Sequence, residues 1–502
     1  MTSYDYIVVG SGIAGLTVTR ILAAQGLRVM LLEQSPTLGG SAKRFHLQGV
    51  PFDIGFHFTG GFADDGKGIL DEMLALLGVS ERIRPIYYPR NACHRIIFPS
   101  QGMSYMVPCG LQNIQDGLSR DFPKHREGIG RYFHRVREVI ARTPALSVSG
   151  FAEVPLPLDE DSISLQAVMD ECIPDRLLQA IVGGFCMCYG SRPDEVAFST
   201  HSRISAALHE SLAKVEDGGQ AFVDALVAVI HEGRVEIRTG VTLETCGEIK
   251  NRKAGRFVLT DGSEVGAGGC IFTVHPRNIL TMIPAEHLSK AFRSRVMDFE
   301  PSIGFFALFG TMDAQPGGGL PPITSVFPDL DLNAMLTCRT EQPVDGPIVV
   351  IRGTEQANGS AVETVTALEV TFPKWMKPWE QSCVGRRPEE YYRYKQARIQ
   401  SIVGRMEQSL PEFRGRLKLL DASSSLTFRD YLNSPDGAAY GIRQKIGQFN
   451  VMGRLPIANL YAVGQCALLP GIVGAMTSAF LVCRSILEKK TFGRFLEGKT
   501  CR

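Results

Sequence analysis

At 502 residues, with 44% apolar and 21% charged side chains, the chain has the composition of a folded globular protein and the length of two domains rather than one. A formal net charge of +1 argues against a nucleic-acid partner, whose binding draws its affinity mostly from cations neutralising phosphates. Twelve scattered cysteines form no dense framework and read as reduced thiols; Cys186 and Cys188 sit too close together, with no second Cys/His pair nearby, for a zinc site.

Met1 leads almost directly into a strand, leaving no room for a charged leader and an apolar signal core, so the cytoplasm is the expected compartment. Tyr6-Ile7-Val8-Val9 is a continuous apolar run of the kind that forms a parallel strand buried on both faces. Gly10 ends it, Ala14 to Gln25 has helical spacing stopped by Gly26, and Val29 to Glu33 is the next strand. This β-α-β unit carries Gly10-Ser11-Gly12-Ile13-Ala14-Gly15, a G-x-G-x-x-G turn between strand and helix, with Glu33 at the end of the second strand and Gln34 after it. Gly10 permits the tight turn, Gly12 lets backbone approach a pyrophosphate, and Gly15 lets helix and strand pack closely. The free N–H groups of the helix start favour the phosphates. Glu33 can accept hydrogen bonds from ribose hydroxyls and would repel a 2′-phosphate, so the expected ligand is FAD or NAD rather than NADP. Gly61 to Lys67 mimics a P-loop, but Gly68 stands where magnesium binding needs Ser or Thr.

Leu70 to Leu77 and the region from Ile114 to Arg142 read as helices. In the latter, Lys124, Arg126, Arg131, Arg135 and Arg137 alternate with Ile129, Tyr132, Phe133 and Val136, which is either a solvated amphipathic face or a contact with an anionic membrane surface. Short strands from Arg234 to Val274 read as a return to the first sheet. From Arg277 to Leu417 a second domain is expected, with the apolar run Ile303 to Phe309, a helix over Glu389 to Gln408, and a loop at Gly317-Gly318-Gly319 and Pro321-Pro322. Leu455 to Cys483 carries no formal charge and exceeds the roughly 20 residues that span a bilayer. Pro456, Asn459, Gln465, Pro470 and three glycines break it into a strand, a loop and a helix, better suited to a buried cofactor. The expected class is α/β: a discontinuous Rossmann-type domain of residues 1–85, 213–280 and 421–502, and an α+β substrate domain of residues 86–212 and 281–420.

Beyond the first unit, Leu38-Gly39-Gly40-Ser41-Ala42, then Gly49-Val50-Pro51-Phe52-Asp53-Ile54-Gly55, the segment Gly218-Gly219-Gln220-Ala221-Phe222, and Leu460-Tyr461-Ala462-Val463-Gly464-Gln465 with Gly471-Ile472-Val473-Gly474-Ala475 complete a pattern. It resembles, over nearly the whole chain, the flavoprotein family of carotenoid isomerase, retinol saturase and phytoene desaturase. The resemblance implies FAD, with Gly39, Gly40 and Ser41 over the pyrophosphate, Val241 on a strand clasping adenine, His57 and Phe58 near the isoalloxazine, and Gly464, Gln465, Val473 and Gly474 finishing the flavin site. Phe56 and Phe58 serve equally as core residues. The segment Thr427 to Gly441, with Tyr431 and Tyr440, resembles the substrate side of the saturase and isomerase branch. One departure is Cys466, where related sequences carry an acidic residue.

With a single dinucleotide fingerprint, electrons must be exchanged with a transient donor or acceptor, or the reaction must be redox-neutral. The implied substrate is an apolar polyene, terpenoid or other lipid undergoing saturation, desaturation or cis/trans isomerisation, drawn from a membrane that the protein contacts peripherally. His57 and Tyr440 are the candidate proton-handling residues, each with a structural role as the alternative. A flavin amine oxidase and a non-catalytic flavin-stabilised binding protein are the competing readings.

Overall fold

The computed structural model describes residues 3–313 and 321–498; the expected glycine loop at 317–319 lies outside them. Strand β1 (Ser3–Val9), helix α1 (Ile13–Ala23) and strand β2 (Val29–Glu33) form the first β-α-β unit. Ile7, Val8 and Val9 are fully buried because both faces of the sheet are covered. Val8, Leu31 and Ile271 face a layer containing α1 and the helices Gly218–Ile230 and Gly471–Ile486, while Ile7, Val9, Leu32 and Phe272 face the opposite core. Each such side chain contributes about 1.5–3 kcal/mol by leaving water, which makes this unit the anchor of everything attached to it.

The strand in β1's parallel partnership, Glu264–Phe272, pairs in turn with Leu460–Ala462, and β2 pairs parallel with Val235–Thr239. Leu243–Gly247 and Arg256–Leu259 add an antiparallel flank, and Gly453–Arg454 completes an eight-stranded sheet. Chain segments hundreds of residues apart thus share one sheet. The second sheet has seven strands in the spatial order Lys418–Ser423, Gly304–Met312, Ser360–Thr371, Ile348–Ala357, Ile323–Val326, His94–Phe98 and Met103–Val107. All its pairings are antiparallel except that of Ile323–Val326 with His94–Phe98. The hairpin Arg44–Asp53 reaches between the two: Arg44 pairs with Asp53 at 3.4 Å and with Glu355 on the second sheet at 2.7 Å.

The uncharged stretch near the C-terminus is a short strand, a loop and the helix Gly471–Ile486, and no helix among the described residues is long and apolar enough to cross a membrane. The basic region divides into helices Leu111–Asp121 and Arg126–Ala141. Ile129, Tyr132, Phe133 and Val136 are buried in the core, Arg131 pairs with Glu127 and Arg135 with Glu171, both at 2.9 Å, and Arg137 donates to Gln112. Acidic partners and a fully used apolar face fit the solvated alternative for this helix.

Candidate functional site

Parallel strands of an open α/β sheet present their carboxyl ends together, and the loops that leave them form the ligand crevice. Here Val9, Phe272 and Ala462 are aligned in register, so Gly10, Thr273 and Val463 emerge side by side, with Gly464 immediately after. A cleft of about 320 Å³ opens there and continues to Phe305 and Leu368 on the second sheet. It lies between the two sheets and falls in the size range of small-molecule sites.

The glycines divide into those that shape the protein and those that leave space. A Cβ on Gly15 would lie 2.0 Å from the Gly10 carbonyl oxygen, and one on Gly10 would lie 2.5 Å from Thr273 Oγ1, in a backbone of φ +100°. Both are required by the close approach of α1 to the sheet. Gly12 is different: it caps α1 with φ −63°, and a Cβ there would meet nothing within 4 Å. The open volume over Gly12 faces the start of α1, where no side chain caps the free N–H groups. Gly40 seals the far side, since its Cβ would lie 3.2 Å from Gly12 Cα. The Gly39 N–H donates to the Ser11 carbonyl at 3.1 Å, tying the second glycine loop to the first. These features fit a dinucleotide pyrophosphate on an observation independent of the motif: protein atoms leave room at the one glycine where a ligand must come close.

Glu33 is buried and already engaged. One carboxylate oxygen accepts from the Ser11 N–H at 3.0 Å and the Ser11 hydroxyl at 2.5 Å, and the other accepts from the Ser35 N–H at 2.8 Å. A carboxylate offers about four acceptor sites, so one remains for a ribose hydroxyl rather than the pair expected from the sequence. Gln34 also borders the cleft, its carbonyl oxygen accepting from Asn433 at 3.3 Å.

Ser11, Ala14, Gly40, Ser41, His57, Tyr440, Gly464 and Gln465 all border the cleft. Gly15 and Gly39 do not, because they pack against protein. Three other expected contacts are corrected. Val241 lies between strands rather than on one, its N–H bonded to the Glu33 carbonyl at 3.1 Å, and Thr242 faces the cleft instead. On the helix Gly471–Ile486, residues 471, 472 and 475 share the cleft face, so the 3.6-residue period turns Val473 and Gly474 away. A Cβ on Gly474 would lie 2.4 Å from the Leu469 carbonyl oxygen.

At the second sheet the walls are Phe58, Phe305, Leu368 and Tyr440, with the Tyr440 ring edge-on to Phe305 at 5.9 Å between centroids. Phe56 serves both roles weighed for it, bordering the cleft and packing edge-on against Phe222. The His57 imidazole and the Tyr440 hydroxyl have no hydrogen-bond partner among the described residues; only the Tyr440 N–H is held, by Ser302 Oγ at 3.1 Å. Burial pushes His57 down to about 4 and holds the Tyr440 phenol well above its ordinary value, with Cys188 adding to the latter. At neutral pH the cleft therefore presents an uncharged imidazole and a protonated phenol. Cys466 lies against Gly441, and burial pushes its thiol up to about 11, so it stands as a small neutral wall residue. Glu33 is the sole carboxylate among the described lining residues.

Sequence reading missed Thr273, His275, Asn278, Phe305, Leu368 and Phe428. For Thr273 a signal existed, since it directly follows an apolar strand whose carboxyl end must face the crevice. For Phe305 only the apolar run Ile303 to Phe309 pointed to the second domain, and for Leu368 nothing did, because strands buried on both faces do not say which face meets the cleft.

Residues 8–72 match the family model described as an NAD(P)-binding Rossmann-like domain. Over 532 residues the chain is 25% identical to an all-trans-retinol 13,14-reductase of Danio rerio, covering 96% of this chain and 86% of the relative. A chloroplastic prolycopene isomerase of Daucus carota is 28% identical over 151 residues, 30% of this chain and 24% of that one. Among solved structures, an oxidoreductase from Methanosarcina mazei superposes with a TM-score of 0.66 at 17% identity, covering 95% of this chain and 99% of that chain. Cyclohexylamine oxidase from Brevibacterium oxydans superposes with a TM-score of 0.62 at 13% identity, covering 98% and 99%. The structural matches establish the Rossmann-containing α/β architecture, and the sequence similarity extends the resemblance to the retinol reductases along the chain.

Proposed function

We propose that this protein is an FAD-dependent oxidoreductase that saturates a carbon–carbon double bond in a neutral, apolar polyene or related lipid. The observation that carries the reading is the single cleft joining a dinucleotide cradle to an apolar chamber without a carboxylate. The full-length similarity to retinol reductases supports the polyene class and the reductive direction. Gly10, Ser11, Gly12 and the start of α1 would hold the pyrophosphate, Glu33 one ribose hydroxyl, and Gly40, Ser41, Gly464 and Gln465 the remainder of the cofactor. Bound there, FAD supplies hydride transfer, which the protein's own side chains cannot perform.

The chain's residues do the rest. Phe58, Phe305 and Leu368 desolvate the substrate and exclude water from the reacting carbon. Saturation adds a hydride to one carbon and a proton to its neighbour. Tyr440, kept protonated by burial, is the proton donor, and its phenolate recovers a proton from solvent between turnovers. His57 stays neutral and serves as a hydrogen-bonding group beside the reacting centre rather than as a cationic acid.

An amine oxidase shares the fold, but an ammonium substrate entering this cleft would find no carboxylate beyond the one engaged at the nucleotide end. The test is to reconstitute the protein with FAD, reduce it anaerobically with dithionite, and add all-trans-retinol, a cis-polyene and a primary amine in separate reactions. The reading expects a dihydro product from a polyene and nothing from the amine. Amine oxidation under air, or a protein that retains no flavin, would overturn it.

A further inference from the structure

Two polar side chains of the cleft have nothing in the protein to bond. His57 and Tyr440 border it together with the apolar walls Phe58, Phe305 and Leu368, and neither the imidazole nor the phenol hydroxyl has a hydrogen-bond partner among the described residues. Their backbones hold both in place. A Cβ on Gly55 would lie 3.2 Å from Ser41 Cβ, and Thr59 exchanges backbone hydrogen bonds with Ala213 at 2.8 and 2.9 Å, so the segment carrying His57 is pinned on both sides. The Ala439 N–H donates to the Ile303 carbonyl at 2.9 Å, and the Tyr440 ring sits over bare backbone at Gly190, where a Cβ would lie 3.2 Å from Tyr440 Cδ2.

Among the described lining residues, the other histidine, the lysine and the carboxylate are engaged. Glu33 is held at the nucleotide end, the Lys43 ammonium reaches back to the Thr37 carbonyl at 3.4 Å and hydroxyl at 3.3 Å, and His275 Nδ1 accepts from the Arg277 N–H at 3.2 Å. The chamber therefore offers a substrate two uncharged hydrogen-bonding groups and no counter-ion. A carboxylate would enter without a cation to meet it. A pure hydrocarbon would strip water from both groups and leave them unpaired, and sites built around donors discriminate strongly against such a ligand. The substrate that fits carries a neutral oxygen acceptor. A hydroxyl and a carbonyl both qualify as acceptors, and the chemistry separates them. A hydride added to a carbon–carbon double bond leaves an electron pair that needs a sink, and a carbonyl conjugated with that bond takes the pair onto oxygen, where a fixed donor stabilises it.

We propose that the substrate is an α,β-unsaturated carbonyl compound, a polyenal or polyenone whose oxygen accepts a hydrogen bond from His57 while Tyr440 protonates the carbon next to the carbonyl. The inference rests on the saturation reading of this cleft and narrows it from polyenes at large to one chemical class. A hydride with its electron pair, from the reduced flavin, adds to the β carbon. The double-bond pair shifts toward the carbonyl carbon, and the carbonyl pair settles on oxygen against the His57 N–H. The resulting enolate takes the Tyr440 hydroxyl proton at its α carbon, the carbonyl re-forms, and the phenolate regains a proton from solvent. One carbon–carbon double bond is lost, two C–H bonds form, and the flavin gives up two electrons, so atoms and electrons balance.

The probes share one skeleton and differ at its end: all-trans-retinal, all-trans-retinol and all-trans-retinoic acid, each given to the anaerobic, dithionite-reduced holoprotein. Retinal should be saturated with a kcat/KM at least about tenfold above that of either other probe. His57→Leu should bring retinal down to the rate of retinol, and His57→Asn, which keeps an N–H donor, should restore part of the difference. A second readout does not need turnover. Infrared difference spectra of the oxidised holoprotein with retinal and with its isotopically labelled carbonyl should place the bound C=O stretch below its frequency in hexane, and His57→Leu should return it there. Retinol or retinoate saturated as fast as retinal, or an unshifted C=O stretch in the wild type, overturns the inference and leaves the saturation reading standing. A lowered stretch with no polyene saturated overturns the saturation reading and leaves carbonyl recognition by His57 standing. Both wild-type readouts hold even if a variant fails to fold.

Discussion

Substituting alanine at Gly12 and, separately, at Gly15 separates ligand space from protein space at the same turn. At Gly12 the backbone is in an ordinary region and the added methyl meets no protein atom within 4 Å. Apo stability should therefore stay within about 0.5 kcal/mol of the parent, as for substitutions that disturb no packed feature. The methyl instead occupies the volume over the start of α1 and pushes a pyrophosphate off the helix N–H groups. Losing two hydrogen bonds to a charged group at about 1.5–3 kcal/mol each costs about 3–6 kcal/mol. That is roughly a 10²–10⁴-fold weaker FAD affinity. At Gly15 the methyl lies 2.0 Å from the Gly10 carbonyl oxygen and 3.2 Å from Thr273 Oγ1, so α1 must lift from the sheet. Overpacking of this kind costs about 1–3 kcal/mol or more, and G15A should lose apo stability as well as FAD. Urea denaturation of the apoproteins gives the first quantity, and FAD titration by flavin fluorescence gives the second. Wild-type FAD affinity in G12A, or apo destabilisation of G12A equal to that of G15A, would refute the assignment of the cradle.

Other expectations follow from the same geometry. Tyr440→Phe keeps the ring against Phe305 and removes only the hydroxyl; turnover should fall by about 10²-fold or more, the usual scale of a lost proton donor, with FAD binding unchanged. Unimpaired turnover, measured by product formation, would remove Tyr440 from the chemistry. Leu368→Lys places a charge in the chamber and should raise KM for an apolar substrate by at least tenfold, about 1.4 kcal/mol, while leaving the flavin spectrum intact; an unchanged KM would show that the substrate lies elsewhere. Acid should destabilise the fold steeply. Burial lowers His57, His94, His209 and His275 to about 4 and His201 to about 3, so between about pH 4 and 6 the unfolded chain binds about five more protons there. Asp53 opposes them: burial raises it to about 6, so in the same window the folded state holds one more proton. The net of about four protons means stability falls by roughly 5–6 kcal/mol per pH unit on acidification, at about 1.4 kcal/mol per proton. Urea midpoints at pH 4.5, 5.0, 5.5 and 6.0 check this, and a flat profile would contradict it.

The parts of the site that sequence shows well are contiguous ones. β1, α1 and β2 are local, their apolar runs are continuous because both faces are covered, and the spacing of the three glycines marks the turn within six residues, although the side chain that Gly10 must clear, Thr273, is distant in sequence. The second sheet is not legible in this way. Pairing His94–Phe98 with Ile323–Val326 depends on contacts over more than 200 residues, and nothing in either strand names its partner. The chamber inherits that difficulty, since Phe305 and Leu368 become walls only when that sheet faces the first. Val473 and Gly474 show a finer failure: the segment was recognisable, but its helical phase, which decides that 471, 472 and 475 face the cleft, was not. Glu33 was legible as an acceptor, yet its engagement by Ser11 and Ser35 depends on the folded turn.

The most direct test of the central claim is a single turnover of the anaerobic, dithionite-reduced FAD protein with an equimolar conjugated polyene, following the flavin spectrum and the product together. Saturation predicts that flavin reoxidises at the rate at which a product carrying two added hydrogens appears, with one double bond lost from the conjugated system. Flavin that remains reduced while the polyene is recovered unchanged would contradict the account.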